Sequence, residues 1–237
     1  MQDNDQTTFS LSQFQQSVRN SCLLRGLDEE QVELLAAEMM TISVPAGSTI
    51  YREGEPADDL YVVAAGKVKI SQYLGKKAWQ LKDLLGPGEM FGSGIELDRG
   101  LRTATATAAT GGIVWCIRYS TLDKWTAQEP EIRREMQAEM SRRAMNHRNR
   151  RDDQVTLSVA ARLAKLFLDM GKRFGTPVGE AISLKHHLSH VELGDLIGAS
   201  RTAVHGAMAE LVRNKLISQR RHGADLLDLQ ALARLAD

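Results

Sequence analysis

The sequence predicts an α+β chain in three successive parts: an all-β region, one long helix, and a helix-turn-helix followed by a hairpin. Three observations carry this. Between Ile42 and Trp115, short β-rich runs (SVPAGSTIY, DLYVVAAGKVKISQYL, GGIVWCIRY) alternate with turn glycines such as Gly54, Gly66 and Gly88, which reads as a sandwich, roll or barrel. From Pro130 the texture becomes continuously helical. From His187 to Ser218 two short amphipathic helices flank Gly198.

A short helix precedes the β-region: Asp28 is placed to cap it, and Val32, Leu35 and Met39 form its apolar stripe. Pro130 suits the first turn of the long helix. Ile132, Met136, Met140 and Ala144 recur every four residues along it, a seam narrow enough to predict burial against a partner helix. The alternative is a helix packed on its own β-domain. The polar run Asn146–Gln154 is the expected hinge. SVAARLAKLFLDMGKRFG then forms a further helix, and LISQRRHGADLLDL a hairpin turning at Arg221–Gly223, with Asp228 capping a terminal helix. The expected parts are an arm (1–23), a sensing domain (24–127), a dimerisation helix and hinge (128–155) and a DNA-binding domain (156–237).

The helix-turn-helix is the most informative segment. Ser189 and Glu192 have the spacing of a capping box. Val191, Leu193, Leu196 and Ile197 give the first helix a core face. Gly198 turns the chain, and Ser200 is placed to cap a second helix in which Val204, Met208 and Leu211 point inward. Arg201, Thr202 and His205 point the other way. A buried face opposite a polar first turn is what a helix entering a DNA groove needs; an ordinary αα-hairpin is the alternative.

The formal net charge is zero, but residues 1–128 carry 12 basic and 16 acidic side chains and the rest 18 and 14. The helix-turn-helix thus lies in the basic half, as attraction to phosphate requires. The N-terminal MQDNDQTTFSLSQFQQ lacks the apolar core of a signal peptide. No run approaches the ~20 apolar residues of a membrane span. Two cysteines, Cys22 and Cys116, cannot form a disulfide scaffold. A cytoplasmic protein without a membrane partner is expected.

The order of these parts, with YREGEPADDLYVVAAGKVKI (51–70), LGPGEMFG (85–92) and LIGASRTAV followed by LVRNKLIS, resembles the bacterial transcription regulators of the cyclic-AMP receptor protein/fumarate-nitrate-reduction regulator (CRP/FNR) superfamily. The resemblance covers most of residues 24–230. It implies a β-roll of the cyclic-nucleotide-binding type, a long dimerisation helix and a C-terminal winged helix-turn-helix. It further implies a homodimer on a pseudo-palindromic operator, with RNA polymerase as a further partner.

In the effector pocket the chain departs from the family pattern. Cyclic-nucleotide binders carry Phe-Gly-Glu-Leu-Ser and, after a turn, Arg-Ser/Thr. Here the segment is FGSGIELDRGLRTATA. Gly92, Arg102 and Thr103 match, whereas Ser93 replaces the glutamate that accepts the ribose hydroxyl. On the long helix, His147 and Arg148 follow Arg142-Arg143 where cyclic-AMP binders have Thr and Ser or Asn. The resemblance thus implies a phosphate anchor without ribose and adenine contacts, so that cyclic-AMP control is weak or absent. A structural ion pair for Arg102 and a fully cyclic-AMP-dependent regulator stay open as alternatives.

No histidine precedes His147, which excludes β-roll metal and haem sites built on imidazole. Two cysteines are too few for the family's four-cysteine iron–sulfur cluster. Cys22 and Cys116 remain candidates for a thiol switch. No nucleophile–base set is visible, so an enzyme is not expected. A sensor module of a larger signalling complex is disfavoured by the helix-turn-helix. For DNA, the resemblance carries Arg201 over as the guanine reader. Thr202 and Gly206 replace the family's Glu and second Arg. Ser189, His190, Arg220, Arg221 and His222 are candidate backbone contacts, His205 is a replacement base contact, and Ser200 and Thr202 complete the expected DNA-binding set.

Overall fold

The computed structural model describes residues 21, 23–75, 79–92 and 100–236. Helix α1 (Glu29–Ala37) begins at Asp28, whose carboxylate accepts from the Gln31 N–H while the Gln31 side chain accepts from the Asp28 N–H. Two antiparallel four-stranded sheets follow. The first orders β1 (Met40–Val44), β8 (Gly112–Arg118), β3 (Asp59–Ala65) and β6 (Met90–Phe91). The second orders β2 (Thr49–Tyr51), β7 (Thr105–Ala108), β4 (Val68–Tyr73) and β5 (Trp79–Leu85). Strand β3 is buried on both faces, which is why it reads as a continuous apolar run. Side chains alternate along a strand. Tyr61 and Val63 therefore face the second sheet with Val68, Leu85 and Phe91, while Leu60, Val62 and Ala64 face the helices.

Helix α2 (Tyr119–Gln128) leads into α3 (Pro130–Thr156), with Pro130 in its first turn. The expected hinge at Asn146–Gln154 is a correction: this run lies inside α3. It holds no Gly or Pro, so its polarity solvates a helix rather than breaking one. The chain breaks instead at Leu157–Ser158, both extended, and Ser158 caps α4 (Val159–Phe174) by accepting from the Ala161 N–H (3.1 Å).

The C-terminal domain surrounds α4. A hairpin of β9 (Thr176–Val178) and β10 (Ala181–Leu184), whose strands are too short to show a periodicity, pairs with the expected wing, β11 (Ile217–Arg220) and β12 (Gly223–Leu226), in the order β11-β12-β10-β9. Helices α5 (His190–Ile197) and α6 (Arg201–Arg213) are joined through Gly198, whose φ of 65° is left-handed, as a tight turn requires. Helix α7 (Leu229–Ala236) packs on α4.

This domain is docked on the second sheet. Leu81 and Leu84 of β5 share one buried cluster with Phe167, Leu193 and Leu196. The Leu81 N–H donates to Asp195 Oδ2 (3.0 Å), and Lys69 of β4 pairs with Glu192 (2.5 Å). Among the described residues no helix is long and apolar enough to cross a membrane.

Candidate nucleic-acid interface and effector pocket

The helix-turn-helix is built by its caps. Ser189 Oγ accepts from the Glu192 N–H (3.3 Å) and donates to the Glu192 carboxylate (2.9 Å). Its hydroxyl is thereby committed to the helix end, which weakens the case for Ser189 as a phosphate contact. Ser200 Oγ accepts from the Ala203 N–H (3.2 Å) and starts α6. Val204, Ala207, Met208 and Leu211 are buried, which turns Arg201, Thr202 and His205 to solvent. No ion pair holds Arg201 among the described residues. Gly206 also faces outward, and a Cβ there would meet open space.

Histidines flank this surface. The His190 and His205 rings lie 5.7 Å apart, and those of His187 and His222 stack at 5.3 Å. Burial first, then neighbouring basic groups (Lys67 for His187, His205 and Arg201 for His190), hold both His187 and His190 below the usual imidazole pKa. The stacked pair joins the wing tip to the entry of α5, a contact that sequence spacing could not show. Arg221 has no ion pair among the described residues, whereas Arg220 pairs through Nε with Asp225. Arg220 is thus partly neutralised, and Arg221 is the better-placed wing cation.

The effector pocket, about 230 Å³, lies between the second sheet and α3. Gly92 enters it with φ +77°, and a Cβ there would stand 2.7 Å from Arg102 Nη1. Only glycine lets the guanidinium approach so closely. Arg102 is 5% exposed. Its Nη1 donates to the carbonyls of Gly92 (2.6 Å) and Asp59 (2.8 Å). Its guanidinium lies over the rings of Tyr51 (4.3 Å) and Tyr61 (5.3 Å). Its buried Nε has no acceptor, and no carboxylate pairs with it among the described residues. A buried cation without a counter-ion is costly, and an anionic group is what this donor set fits. Thr103 lines the same wall, and from α3 come Met140, Arg143, Ala144 and His147. Burial, with Arg150 and Arg143 nearby, holds the His147 pKa below its ordinary value. Ser93 lies outside the described residues. Arg143 was missed in the sequence, although it precedes His147 by one helical turn. It donates to Glu139 (2.8 Å) and to the Met90 carbonyl (2.6 Å).

The expected dimer seam divides. Ile132 and Met136 are 0% and 7% exposed and belong to the protomer's own core beside Leu60, Leu122 and Trp115. Met140 is half-buried against that core, and of the four only Ala144 is exposed. This is a correction: a four-residue repeat drifts around a helix of 3.6 residues per turn, so the stripe starts on the core and ends elsewhere. One exposed stripe of α3 runs through Gln137, Ser141, Ala144, Arg148, Arg151 and Val155, at heptad spacing.

The thiol switch is also corrected for Cys116. It is 2% exposed, and burial first, then Asp59, pushes its thiol pKa up, the reverse of a reactive thiolate. Cys22 lies outside the described residues. Among those residues, no cluster of three His, Cys, Asp or Glu side chains could hold a metal ion.

Comparison with known proteins matches residues 41–129 to the cyclic nucleotide-binding domain and residues 161–235 to the Crp-like helix-turn-helix domain. A "CRP-like cAMP-activated global transcriptional regulator" of Mycobacterium tuberculosis is 32% identical over 90% of this chain and 96% of its own. The "Cyclic AMP receptor protein" of Thermus thermophilus is 29% identical over 84% of this chain and 89% of its own. The solved structure of FixK2 from Bradyrhizobium japonicum superposes with a TM-score of 0.73 at 22% identity, over 84% of this chain and 98% of that one, and shares the fold. With its β-roll, long helix and winged helix-turn-helix in that order, the chain belongs to the CRP/FNR family of DNA-binding transcriptional regulators.

Proposed function

We propose that this regulator binds a pseudo-palindromic operator as a homodimer through α6, senses a small anion in the β-roll, and responds weakly or not at all to cyclic AMP. The observation that carries the DNA reading is the outward first turn of α6, with Arg201, Thr202 and His205 opposite a fully buried face. Arg201 reads guanine. His190, Arg221 and His222 hold backbone. The heptad stripe of α3 meets its counterpart on the two-fold axis, which sets half-sites about 34 Å apart. RNA polymerase is the further partner.

Arg201→Ala loses about 1–3 kcal/mol per half-site and relaxes preference at one G·C pair. Gel-shift titrations against a selected site and its single-base variants check this. Unchanged affinity with unchanged preference removes Arg201 as a reader.

The effector reading rests on buried Arg102, which has no carboxylate partner among the described residues. A second reading, full control by cyclic AMP, is favoured by the retained Gly92, Arg102 and Thr103 and by the names of the relatives. Against it stand Ser93 and His147 at the positions that would hold ribose and adenine. A ligand shifts an equilibrium only by its difference in affinity for the two states. One that does not engage α3 couples weakly to the DNA-binding domain. Calorimetry with cyclic AMP, paired with DNA titrations, decides between them. The expected gain in DNA affinity is below about tenfold, or ~1.4 kcal/mol of coupling. Sub-micromolar binding with a larger gain establishes the second reading.

A further inference from the structure

A second cavity, about 130 Å³, lies between the C-terminal half of α3 and the C-terminal domain, and it shares no lining residue with the Arg102 pocket. Its apolar side is Leu166, Leu196 and Ile197, each 4–5% exposed. Its polar side is Asn146 and Arg150 from α3 and Arg162 from α4. The two acids at the rim are already committed: Asp153 to Lys165 (2.7 Å) and Asp169 to Arg173 (3.1 Å). Neither lining guanidinium has an acidic partner among the described residues. Arg150 has no ion pair among the described residues. Arg162 donates through Nη1 to the carbonyls of Ile197 (2.6 Å) and Gly198 (3.1 Å), but its buried Nε has no acceptor.

We infer that this cavity is a second ligand site, distinct from the β-roll pocket, for a small organic anion of about one ring that bears a carboxylate. A cavity of this size admits a single six-membered ring. The ring would lie on Leu166, Leu196 and Ile197, and the carboxylate would take the free donors of Arg150 and Arg162, a pairing that guanidinium favours. Because Arg150 stands before the Leu157–Ser158 break and Arg162 after it, one bound anion ties the long helix to the DNA-binding domain.

The test uses the full chain, with benzoate as the probe and benzamide as its neutral counterpart, followed by saturation-transfer NMR. Benzoate binds, benzamide binds at least about tenfold more weakly, and excess cyclic AMP does not displace benzoate. Arg150→Ala weakens benzoate by a similar factor. Asn149→Trp, at an exposed helical position on the rim, blocks the cavity while its circular dichroism stays that of the parent, so the result does not depend on one variant folding. Absence of benzoate binding, equal binding of benzamide, displacement by cyclic AMP, or indifference to a folded variant overturns the assignment.

Discussion

Arg173→Met destabilises the protein by about 3–5 kcal/mol and releases the C-terminal domain from the β-roll. Arg173, in the last turn of α4, donates through Nη2 to Glu89 (2.7 Å) and the Leu84 carbonyl (2.7 Å) and through Nη1 to Asp169 (3.1 Å), with Asp83 at 3.8 Å. Burial opposes its charge, yet Glu89 and Asp83 outweigh it and hold the guanidinium pKa above its ordinary value. Methionine removes the cation that the three carboxylates share and leaves the more exposed Arg142, 3.7 Å from Glu89, as that carboxylate's remaining ion-pair partner. Glu89 and Asp83 are only 15% and 16% exposed, so solvent screens them poorly. Urea unfolding measures the loss, and limited proteolysis near Leu157 reports the release. Adding Glu89→Gln to Arg173→Met restores part of the stability, since it removes one of the stranded charges. A loss below about 1 kcal/mol would class the cluster with ordinary surface pairs.

Acid weakens the C-terminal domain through a buried histidine. His186 is 4% exposed, stacked on Phe167 (5.6 Å). Its Nδ1 accepts from the Leu188 N–H (3.0 Å), so the neutral ring is the form that fits. Burial first, then His187 and His190, pushes its pKa down to about 4 from 6.5. A depressed folded pKa means that the unfolded chain takes up the proton first. The stability is therefore fully present above pH 6.5 and is lost as pH falls toward 4, about 3 kcal/mol in all. His147, His187 and His190, also shifted down, add in the same direction. Thermal unfolding across this window should show the decline. His186→Phe keeps the stacking but cannot titrate, so its profile is flatter, from a lower plateau because the Leu188 N–H loses its acceptor. A wild-type stability that does not change between pH 6.5 and 5 refutes the argument.

Much of the local structure was legible because it depends on neighbours in the chain. Asp28 with Gln31, Ser189 with Glu192, and Gly198 at its turn are decisions made within four residues, and periodicity gave α6 its inner and outer faces. What could not be read are contacts that close over long separations. Glu192 shows the boundary: its capping role is visible beside Ser189, but its ion pair with Lys69 lies 123 residues away. Likewise, nothing near Asp195 announces that it accepts from Leu81. The seam on α3 failed for a related reason. Ile132 and Met136 are apolar either way, and only the position of the β-roll decides whether they meet their own core or a partner. In the effector pocket the sequence identified Gly92 and Arg102, but not that two adjacent tyrosine rings lie against the guanidinium.

The two-residue break at Leu157–Ser158 sets the mechanics of the whole molecule. On one side stands a rod of 27 residues, about 40 Å long at 1.5 Å per residue. On the other, the DNA-binding domain is pinned to the β-roll at three separated points: Glu192 on Lys69, Asp195 on Leu81, and Arg173 on Glu89. With so short a joint, the domain cannot slide past one anchor while keeping the others, because any turn that opens one swings all three through an arc. Any rotation of the DNA-binding domain about that joint therefore loads all three contacts at once.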